Sequence, residues 1–371
     1  MHSIVPIFPV SGIMSHSPES LKYNRRSLVN IANTIIIFVG LVDTVLTIRL
    51  VIRNEMTLSS ITAFAFFFVT VIGTLLLRNL AQKWPKLMLY WYKKEEIFLG
   101  YPYRTPKTSP TLIITVISVI IFLMVSAEHI FYYLNIYYET ELNIATCNLT
   151  HKVNFWEHLF HRERAQVFDV VPFSFWYLPL FQIENFAFSF SGSYVDIMLI
   201  SLSLGISTRF WQLYDRLNKD LISVRTENEW LCIRNHYGAL ADLVHKVNEH
   251  VSYLVLLSCS NNLISTPRLT VVSHIHFYIV LSVLIARTFT MLFATSTIND
   301  SSKSIANLLR RVPNNIWNIE VQRFIDQIES QTIALNGKSL FTLTRKLILA
   351  FAGTIVTFEI ALLDKVPKET M

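Results

Sequence analysis

Charged, amide and polar aromatic side chains stand inside stretches of the sequence that are otherwise almost entirely apolar. The residues concerned are Asp43, Glu128, His129, Tyr132, Tyr133, Asp196, Asn261 and Asn262. Carboxylates and amides beside aromatic rings, in a concave and mostly apolar pocket, can bind a small polar ligand. Each such group is costly in lipid and should face the interior of a helix bundle. Hydrogen bonding between helices is the competing explanation for any one residue, but we expect at least some of the set to line a pocket.

One basic residue, Arg287, stands at the centre of another apolar run. An unpaired arginine in the middle of a membrane-spanning helix costs roughly 2.5–3.5 kcal/mol on insertion scales. We therefore expect Arg287 to have a carboxylate partner, and Asp196 and Glu128 are the candidates.

The composition is that of a membrane protein. Hydrophobic residues make up 52% of the chain and charged residues 16%, whereas roughly a quarter of the residues of soluble domains are charged. The sequence contains no HExxH or GxSxG motif and no phosphate-binding glycine loop, so we expect neither an enzyme nor a cofactor. No nucleic-acid partner is expected. A transporter would tend to show similar halves and interrupted helices, and neither pattern is visible.

Apolar runs long enough to cross a bilayer recur along the whole chain, since a core of about 30 Å needs about 20 helical residues. The predicted spans are 29–48, 58–77, 111–134, 186–206, 251–273, 276–298 and 343–363. Polar residues interrupt the fifth and sixth of these. The sequence therefore predicts an all-α membrane protein with a bundle of seven transmembrane helices over 29–363, a preceding segment 1–28 and a tail 364–371.

Loop charge predicts the orientation of this bundle, because Lys and Arg collect in cytoplasmic loops. With the amino terminus inside, 23 of the 32 Lys and Arg residues fall in inner segments and eight in outer ones. We therefore expect a cytoplasmic amino terminus and an extracellular carboxyl terminus. The sequon Asn148-Leu149-Thr150 then lies in an outer loop, where Asn148 can be glycosylated. A second sequon at Asn299 falls inside and should stay unmodified.

The segment FWEHLFHRERAQVFDVVPFSFWYLPLF (155–181) mixes aromatic and charged residues at helical spacing. It could form a lid on the outer face or an interfacial helix, because Trp and Tyr favour the membrane interface. Histidines at 151, 158 and 161 have a spacing that could suggest a metal. No cysteine or carboxylate is placed to complete a metal site, so we expect solvated loop histidines and no metal.

The last quarter of the chain, IALNGKSLFTLTRKLILAFAGTIVTFEIALLDK (333–365), carries a recognisable pattern. It resembles the closing segment of insect gustatory receptors, whose signature is Thr-Tyr, five apolar-type positions and Gln-Phe. Here Thr357 and Phe358 open the pattern, and Glu359 after the aromatic residue is a feature of the family's sugar-receptor clade. Asp364 and Lys365 stand in place of Gln and Phe.

Other segments are similar to the same clade. They are PVSGI (9–13), SYVDIMLISLSLGISTRFWQLYDRL (193–217), LLSCSNNL (256–263) and SVLIARTFTMLFATSTINDSSK (282–303). The resemblance therefore covers nearly the whole chain. After Asn262, the stretch LISTPRLT replaces the aromatic-rich stretch that the clade would have.

The resemblance implies a tetrameric, ligand-gated, nonselective cation channel without a G-protein step, as a homotetramer or with other gustatory receptors. It would lie in the plasma membrane of a gustatory neuron dendrite. The seventh helix would line the pore, with Thr357, Phe358, Glu359, Ile360, Leu363 and Asp364. Rings of carboxylates from Glu359 and Asp364 would attract cations; alternatively, Glu359 pairs with a neighbouring helix and Asp364 caps the interface.

The resemblance also implies a sugar pocket in the outer half of the first six helices. Its candidate residues are Asp43, Glu128, His129, Tyr132, Asp196, Asn261 and Asn262. The main interpretation is a receptor channel gated by a mono- or disaccharide. The alternatives are a subunit for another small tastant that needs a partner receptor, and a seven-helix transporter.

Overall fold

The structure is a computed structural model that describes residues 7–13, 15, 17–53, 58–106, 108–146, 154–219, 221, 223, 225–264 and 273–363. For residues 58–60, 62, 262–264, 273–277, 355, 356 and 358–363 it describes the backbone alone. Within the described part of the chain, β-structure is limited to two isolated bridges, Ser11 to Lys22 and Asn336 to Thr342. The predicted all-α class is confirmed for these residues.

Ten α-helices are present in the described residues. They are α1 (Leu28–Arg53), α2 (Leu58–Glu95), α3 (Pro110–Thr146), α4 (Phe155–Glu163), α5 (Ala165–Phe168), α6 (Tyr177–Lys219), α7 (Glu227–Ile264), α8 (Ser273–Leu309), α9 (Ile319–Ser330) and α10 (Arg345–Leu363). The short helices α4 and α5 join α3 to α6 at one end of the bundle, and α9 joins α8 to α10 at the other.

Among the described residues, five helices are long and apolar enough to cross a membrane. The segments concerned are Leu28–Arg53, Ala63–Phe98, Pro110–Thr146, Tyr177–Lys219 and Tyr278–Leu309. They contain the first, third and fourth predicted spans and most of the second and sixth. The fifth predicted span lies partly on α7, with 265–272 outside the described residues, and the seventh lies on α10. Both stay predictions as membrane spans, and so does the orientation of the bundle.

Several helices are longer than the predicted spans. The fourth span was predicted to begin at residue 186, but α6 begins at Tyr177. Pro179 and Glu184 interrupt the apolar pattern there without ending the helix. Proline is tolerated in a first helical turn, and Glu184 is buried beside an arginine. At the other end of the bundle, α2 continues past Pro85 to Glu95.

The long helix α6 is central, because it packs against α1, α2, α3, α7 and α8. Near the α9 end, a compact aromatic core joins α6, α7 and α9. The ring of Tyr237 lies 5.6 Å from that of Phe210 and 5.4 Å from that of Phe324. All three rings are fully buried. The Tyr237 hydroxyl is 2.7 Å from Ser302 Oγ of α8, so one side chain connects four helices.

Candidate ligand-binding site

One side of α6 meets α3 and α8 with polar and aromatic side chains. We call this side the α6 face, and its residues are Gln182, Asn185, Phe186, Ser189, Gly192, Ser193 and Asp196. Spacings of three and four residues place side chains on one side of a helix. At 1.5 Å per residue the α6 face is about 20 Å long. It therefore extends from the α4–α5 end of the bundle to the middle of the fourth predicted span.

Aromatic side chains of α3 cover the upper part of the α6 face, near α4 and α5. The His129 ring lies 4.9 Å from the ring of Tyr133 and 5.9 Å from that of Phe186. The Tyr133 hydroxyl donates to Gln182 Oε1 at 2.6 Å and accepts from Asn185 Nδ2 at 2.8 Å. This arrangement combines ring faces with hydroxyl and amide groups.

Tyr132 precedes this cluster on α3 and contacts it. Its ring lies 5.4 Å from the Tyr133 ring, and its hydroxyl donates to Glu163 Oε2 of α4 at 3.0 Å. Helix α4 begins after Asn154, whose side chain accepts a hydrogen bond from the Trp156 amide at 3.1 Å. Asparagine is a favoured residue at this helix position. The predicted site residue Tyr132 thus links α3 to α4.

A buried ion pair forms the deep part of the α6 face. Arg287 Nε of α8 lies 2.9 Å from Asp196 Oδ2, with side chains only 10% and 1% exposed. Arg287 Nη1 donates to Ser193 Oγ at 2.9 Å, and Ser258 Oγ of α7 donates to Asp196 Oδ1. The predicted pairing of Arg287 with Asp196 is confirmed. Glu128 is half-buried on α3, and its carboxylate interacts electrostatically with Arg287.

The two asparagines of the predicted site lie on α7. A Cβ added to Gly192 would lie 3.2 Å from Asn261 Nδ2, so the Asn261 amide lies against the α6 face. The side chain of Asn262 lies outside the described residues. The structure therefore brings Glu128, His129, Tyr132, Asp196 and Asn261 around one side of α6. Their role in ligand binding stays a prediction.

Asp43 lies apart from this group. Its Oδ2 is 2.9 Å from Arg164 Nη1, which is 3.4 Å from Glu184 Oε2. Glu184 and Asn185 are neighbours in α6 and point about 100° apart around the helix. Glu184 and Asp43 both contact Arg164, whereas Asn185 contacts Tyr133 of α3. The predicted set is thus divided between two sides of α6.

Five of the six predicted pore residues lie on α10. Thr357 is exposed, and its hydroxyl donates to the Gly353 carbonyl at 2.8 Å. The backbone of Phe358, Glu359, Ile360 and Leu363 is helical. Their side chains lie outside the described residues, as do Asp364 and the predicted glycosylation site Asn148. Among the described residues, no group of three or more His, Cys, Asp or Glu side chains could hold a metal ion.

Sequence reasoning missed Arg164, Glu184, Gln182 and Asn185. Gln182, Glu184 and Asn185 precede residue 186, where the apolar pattern of the fourth span begins, so the pattern does not mark them as intramembrane residues. Asp43 did indicate a buried carboxylate that needs a partner. Nothing in the sequence indicates that Arg164, 121 residues later in the chain, supplies it.

Comparison with known proteins adds to this geometry. The chain matches the trehalose receptor family over residues 1–371. It is 28% identical to Gustatory receptor for sugar taste 64b of Drosophila melanogaster, over 97% of this chain and 91% of that protein. It is 30% identical to Gustatory receptor for sugar taste 64a of the same species, over 97% and 81%. Gustatory receptor 5a for trehalose, also from Drosophila melanogaster, is 29% identical over 96% and 81%.

The fold also has a counterpart among solved structures. The insect olfactory receptor OR5 from Machilis hrabei, in complex with eugenol, superimposes with a TM-score of 0.63 over 92% of each chain at 14% identity. At that identity the likeness concerns the fold alone. The matching family consists of receptors rather than enzymes, and the match covers the full length of the chain. Several helices of the chain are long and apolar enough to span a membrane. The chain belongs to the trehalose receptor family of insect gustatory receptors and is a multi-pass membrane protein.

Proposed function

We propose that the chain is a taste receptor that forms a sugar-gated, nonselective cation channel in the plasma membrane of gustatory neurons. The observation that carries this proposal is the α6 face, where aromatic rings, amides and carboxylates meet within the helix bundle. It occurs in a chain whose relatives are named for sugar taste and for trehalose. In the proposed orientation, the α4–α5 end of the bundle faces the outside.

Sugar chemistry fits the residues on the α6 face. A sugar presents many hydroxyl groups and flat C–H surfaces, which suit hydrogen-bonding groups beside aromatic rings. The rings of His129 and Phe186 and the hydroxyl of Tyr133 would contact the ligand near the α4–α5 end. Glu128 would accept hydrogen bonds from ligand hydroxyls deeper in the bundle. The Asp196–Arg287 pair would form the floor of the pocket.

A second part of the proposal concerns α10 as the wall of the pore. Exposed residues of α10 recur at helical spacing on one side, at Lys346, Leu349, Ala350, Gly353, Thr354 and Thr357. The opposite side is buried through Ile348 and Phe351. Small and hydroxyl-bearing side chains suit a helix face that meets water. In a tetramer, four such faces would surround one channel.

Two acidic residues later in the sequence would attract cations to this channel. Glu359 and Asp364 would form rings of four carboxylates near the outer mouth, and Ile360 and Leu363 would form an apolar constriction. This part of the proposal depends on the sequence pattern. Asp364 and Lys365 differ from the family signature, and this difference favours the second candidate function, a subunit for another small tastant that needs a partner receptor.

Current recording in an otherwise silent cell tests both functions. The expected result is a cation current in response to one or more members of a panel of mono- and disaccharides that includes trehalose. Current only after coexpression of a second gustatory receptor would favour the partner-dependent function. Failure of every sugar, alone and with a partner, while the receptor is present at the cell surface, would contradict the sugar-receptor proposal.

Two glutamates of α3 provide a matched pair of variants for the same recording. Glu128→Gln should abolish or strongly weaken the sugar response at normal surface level, because a positioned carboxylate is lost from the pocket. Glu141→Gln changes an exposed glutamate of the same helix and should leave the response unchanged. Equal responses of the two variants would remove Glu128 from the proposed pocket.

A further inference from the structure

Arg164 is buried although it lies in the segment that joins two spanning helices. It stands at the junction of α4 and α5, and only 8% of its surface is exposed. Arginine is rarely buried to this degree without partners that satisfy its charge. The guanidinium of Arg164 therefore enters the bundle instead of solvent.

Two carboxylates and two rings surround this guanidinium. Nη1 lies 2.9 Å from Asp43 Oδ2 of α1 and 3.4 Å from Glu184 Oε2 of α6, and both acids are 2% exposed. The guanidinium carbon lies 5.4 Å from the Phe67 ring and 5.1 Å from the Phe181 ring. Planar arginine suits such a site because it can stack on rings while it donates to carboxylates.

The helix packing places Asp43 within reach of this site. Gly40 stands one turn earlier on α1, where an added Cβ would lie 2.8 Å from Cγ2 of Val71 and would also collide with Phe188. The absence of a side chain at Gly40 lets α1 approach α2 and α6 closely. Asp43 can therefore meet the same guanidinium as Glu184.

A second ion pair links the same two parts of the chain but differs in burial. Arg53 Nη1 at the end of α1 lies 2.8 Å from Asp169 Oδ2, just after α5, with side chains 58% and 38% exposed. Exposed pairs of this kind contribute little to stability. Removal of Arg164 would instead leave two carboxylates buried without a positive charge, which is strongly unfavourable. Of the two ion pairs, the one at Arg164 therefore contributes more to the attachment of the α4–α5 junction.

The residue before Arg164 extends this attachment to the candidate ligand site. Glu163 Oε2 accepts the hydrogen bond from the Tyr132 hydroxyl. The Tyr132 ring contacts Tyr133, whose hydroxyl bonds to the α6 face. Adjacent residues of the junction thus hold α1 and α6 on one side and the aromatic cluster of α3 on the other.

We propose that Arg164 is a positioning residue for the ligand site: by holding the α4–α5 junction against α1 and α6, it holds Glu163 on Tyr132 and closes the α4–α5 end of the α6 face. Closure of this end can be measured without any ligand. Only the consequence for ligand affinity rests on the proposed function.

Thiol labelling tests closure without a ligand. The reporter is Ser189→Cys, one turn beyond Asn185 on the α6 face, in a receptor whose Cys147 and exposed Cys232 are replaced by serine. A charged methanethiosulfonate reagent is applied to permeabilised cells, so that it reaches both sides of the membrane. Arg164→Gln should raise the labelling rate of the reporter about tenfold or more, since the junction loses its buried attachment.

Arg53→Gln is the matched control, because it removes an ion pair between the same parts of the chain in an exposed position. It should label at the rate of the parent receptor. If Arg164→Gln fails to reach the surface, Arg164→Lys provides the test, since lysine keeps the charge but cannot stack or donate in the same plane. Labelling of the Arg164 variant at the parent rate, or equal acceleration by Arg53→Gln, would overturn the proposal.

A ligand titration separates this proposal from the proposed function. In a parent receptor that responds to a sugar, Arg164→Gln should raise the half-maximal sugar concentration about tenfold with little change in saturating current per surface receptor. An unchanged half-maximal concentration would contradict the positioning role. If the parent receptor answers no sugar, the proposed function fails, and the labelling comparison still decides whether Arg164 closes this end of the bundle.

Discussion

Arg287 of α8 and Asp196 of α6 form an ion pair in the buried centre of the bundle, with Nε 2.9 Å from Oδ2. Ser193 and Ser258 make further hydrogen bonds to the two side chains, so α7 also takes part. A buried pair adds little net stability by itself, because both charges lose their hydration. Removal of one partner strongly destabilises the folded protein, because the other charge is then left buried and uncompensated.

Arg287→Ala should therefore reduce the amount of folded receptor. Breaking a buried pair costs about 3–5 kcal/mol, which is a large part of a typical stability of about 5–15 kcal/mol. The measurements are surface biotinylation and the melting temperature in detergent. Adding Asp196→Asn to Arg287→Ala removes the remaining charge and should restore part of the loss.

The control for this experiment is Arg310→Ala, which removes an ion pair to Glu329 whose side chains are 56% and 47% exposed. Its effect on stability should stay within about 0.5 kcal/mol. A melting temperature that falls equally in Arg310→Ala and Arg287→Ala would show that burial of the Asp196 pair has no special effect.

The Arg287 pair also shows which part of the site could be predicted. A charge inside an apolar run needs a partner of opposite sign, and few carboxylates stand inside the other runs. That restriction made Asp196 a candidate from the sequence alone. The burial of Arg164 could not be predicted in this way, because Arg164 lies in a mixed aromatic and charged segment where a solvated arginine is expected.

The spanning helices were predictable for a related reason. In lipid, backbone polar groups must be satisfied within the segment, so a long apolar run must be a helix. Outside lipid, water can satisfy backbone polar groups, so this constraint does not apply. The extensions of α2 past Arg78 and of α7 before residue 251 have mixed composition, and contacts such as the Tyr237–Phe324 pair stabilise them. Such contacts depend on residues far apart in the sequence.

Stability should fall in mild acid through His236, which lies on α7 before the predicted span. Burial, and secondly the charge of Arg216, lower the pKa of His236 from its ordinary value of 6.5. The Tyr103 hydroxyl accepts from Arg216 Nη1 at 3.0 Å and lies 2.6 Å from His236 Nδ1. Burial raises the pKa of Tyr103 to about 12, so this hydroxyl stays neutral and does not offset the charge of Arg216.

The sign of the effect follows from these contacts. Burial and the nearby charge of Arg216 both disfavour protonated His236, so the folded protein binds this proton less readily than the unfolded chain. The contribution of neutral His236 is therefore complete above about pH 6.5 and decreases as the pH falls toward the lowered pKa. The melting temperature at pH 7.5 and pH 5.5 measures it.

His236→Gln should reduce the difference between those two melting temperatures. His245→Gln is the control, because His245 lies on the same helix with a side chain 80% exposed, and its variant should keep the full difference. If His236→Gln and the parent receptor lose the same number of degrees on acidification, another group is responsible.

Glycosylation tests the predicted orientation independently of any ligand. With the amino terminus inside, Asn148 faces the lumen during synthesis and should carry a glycan. Asn148→Gln should then run faster on a denaturing gel, at the position of the parent receptor after glycosidase treatment. Asn299 is 4% exposed and should stay unmodified. A parent receptor that glycosidase does not shift would contradict the predicted outer position of this loop.

Cysteine substitutions on α10 test the proposed pore wall. Thr354 and Thr357 lie on the exposed side of the helix, whereas Ile348 is 7% exposed on the side that is buried. In a receptor without Cys147 and Cys232, Thr354→Cys or Thr357→Cys should make the open channel sensitive to a cationic methanethiosulfonate. The attached positive charge would lie in the cation pathway and should block most of the current. Ile348→Cys should leave the current unchanged, because the reagent cannot reach a side chain packed in the bundle. Block of the Ile348 variant, or currents in the two threonine variants that resist the reagent, would place α10 outside the pore.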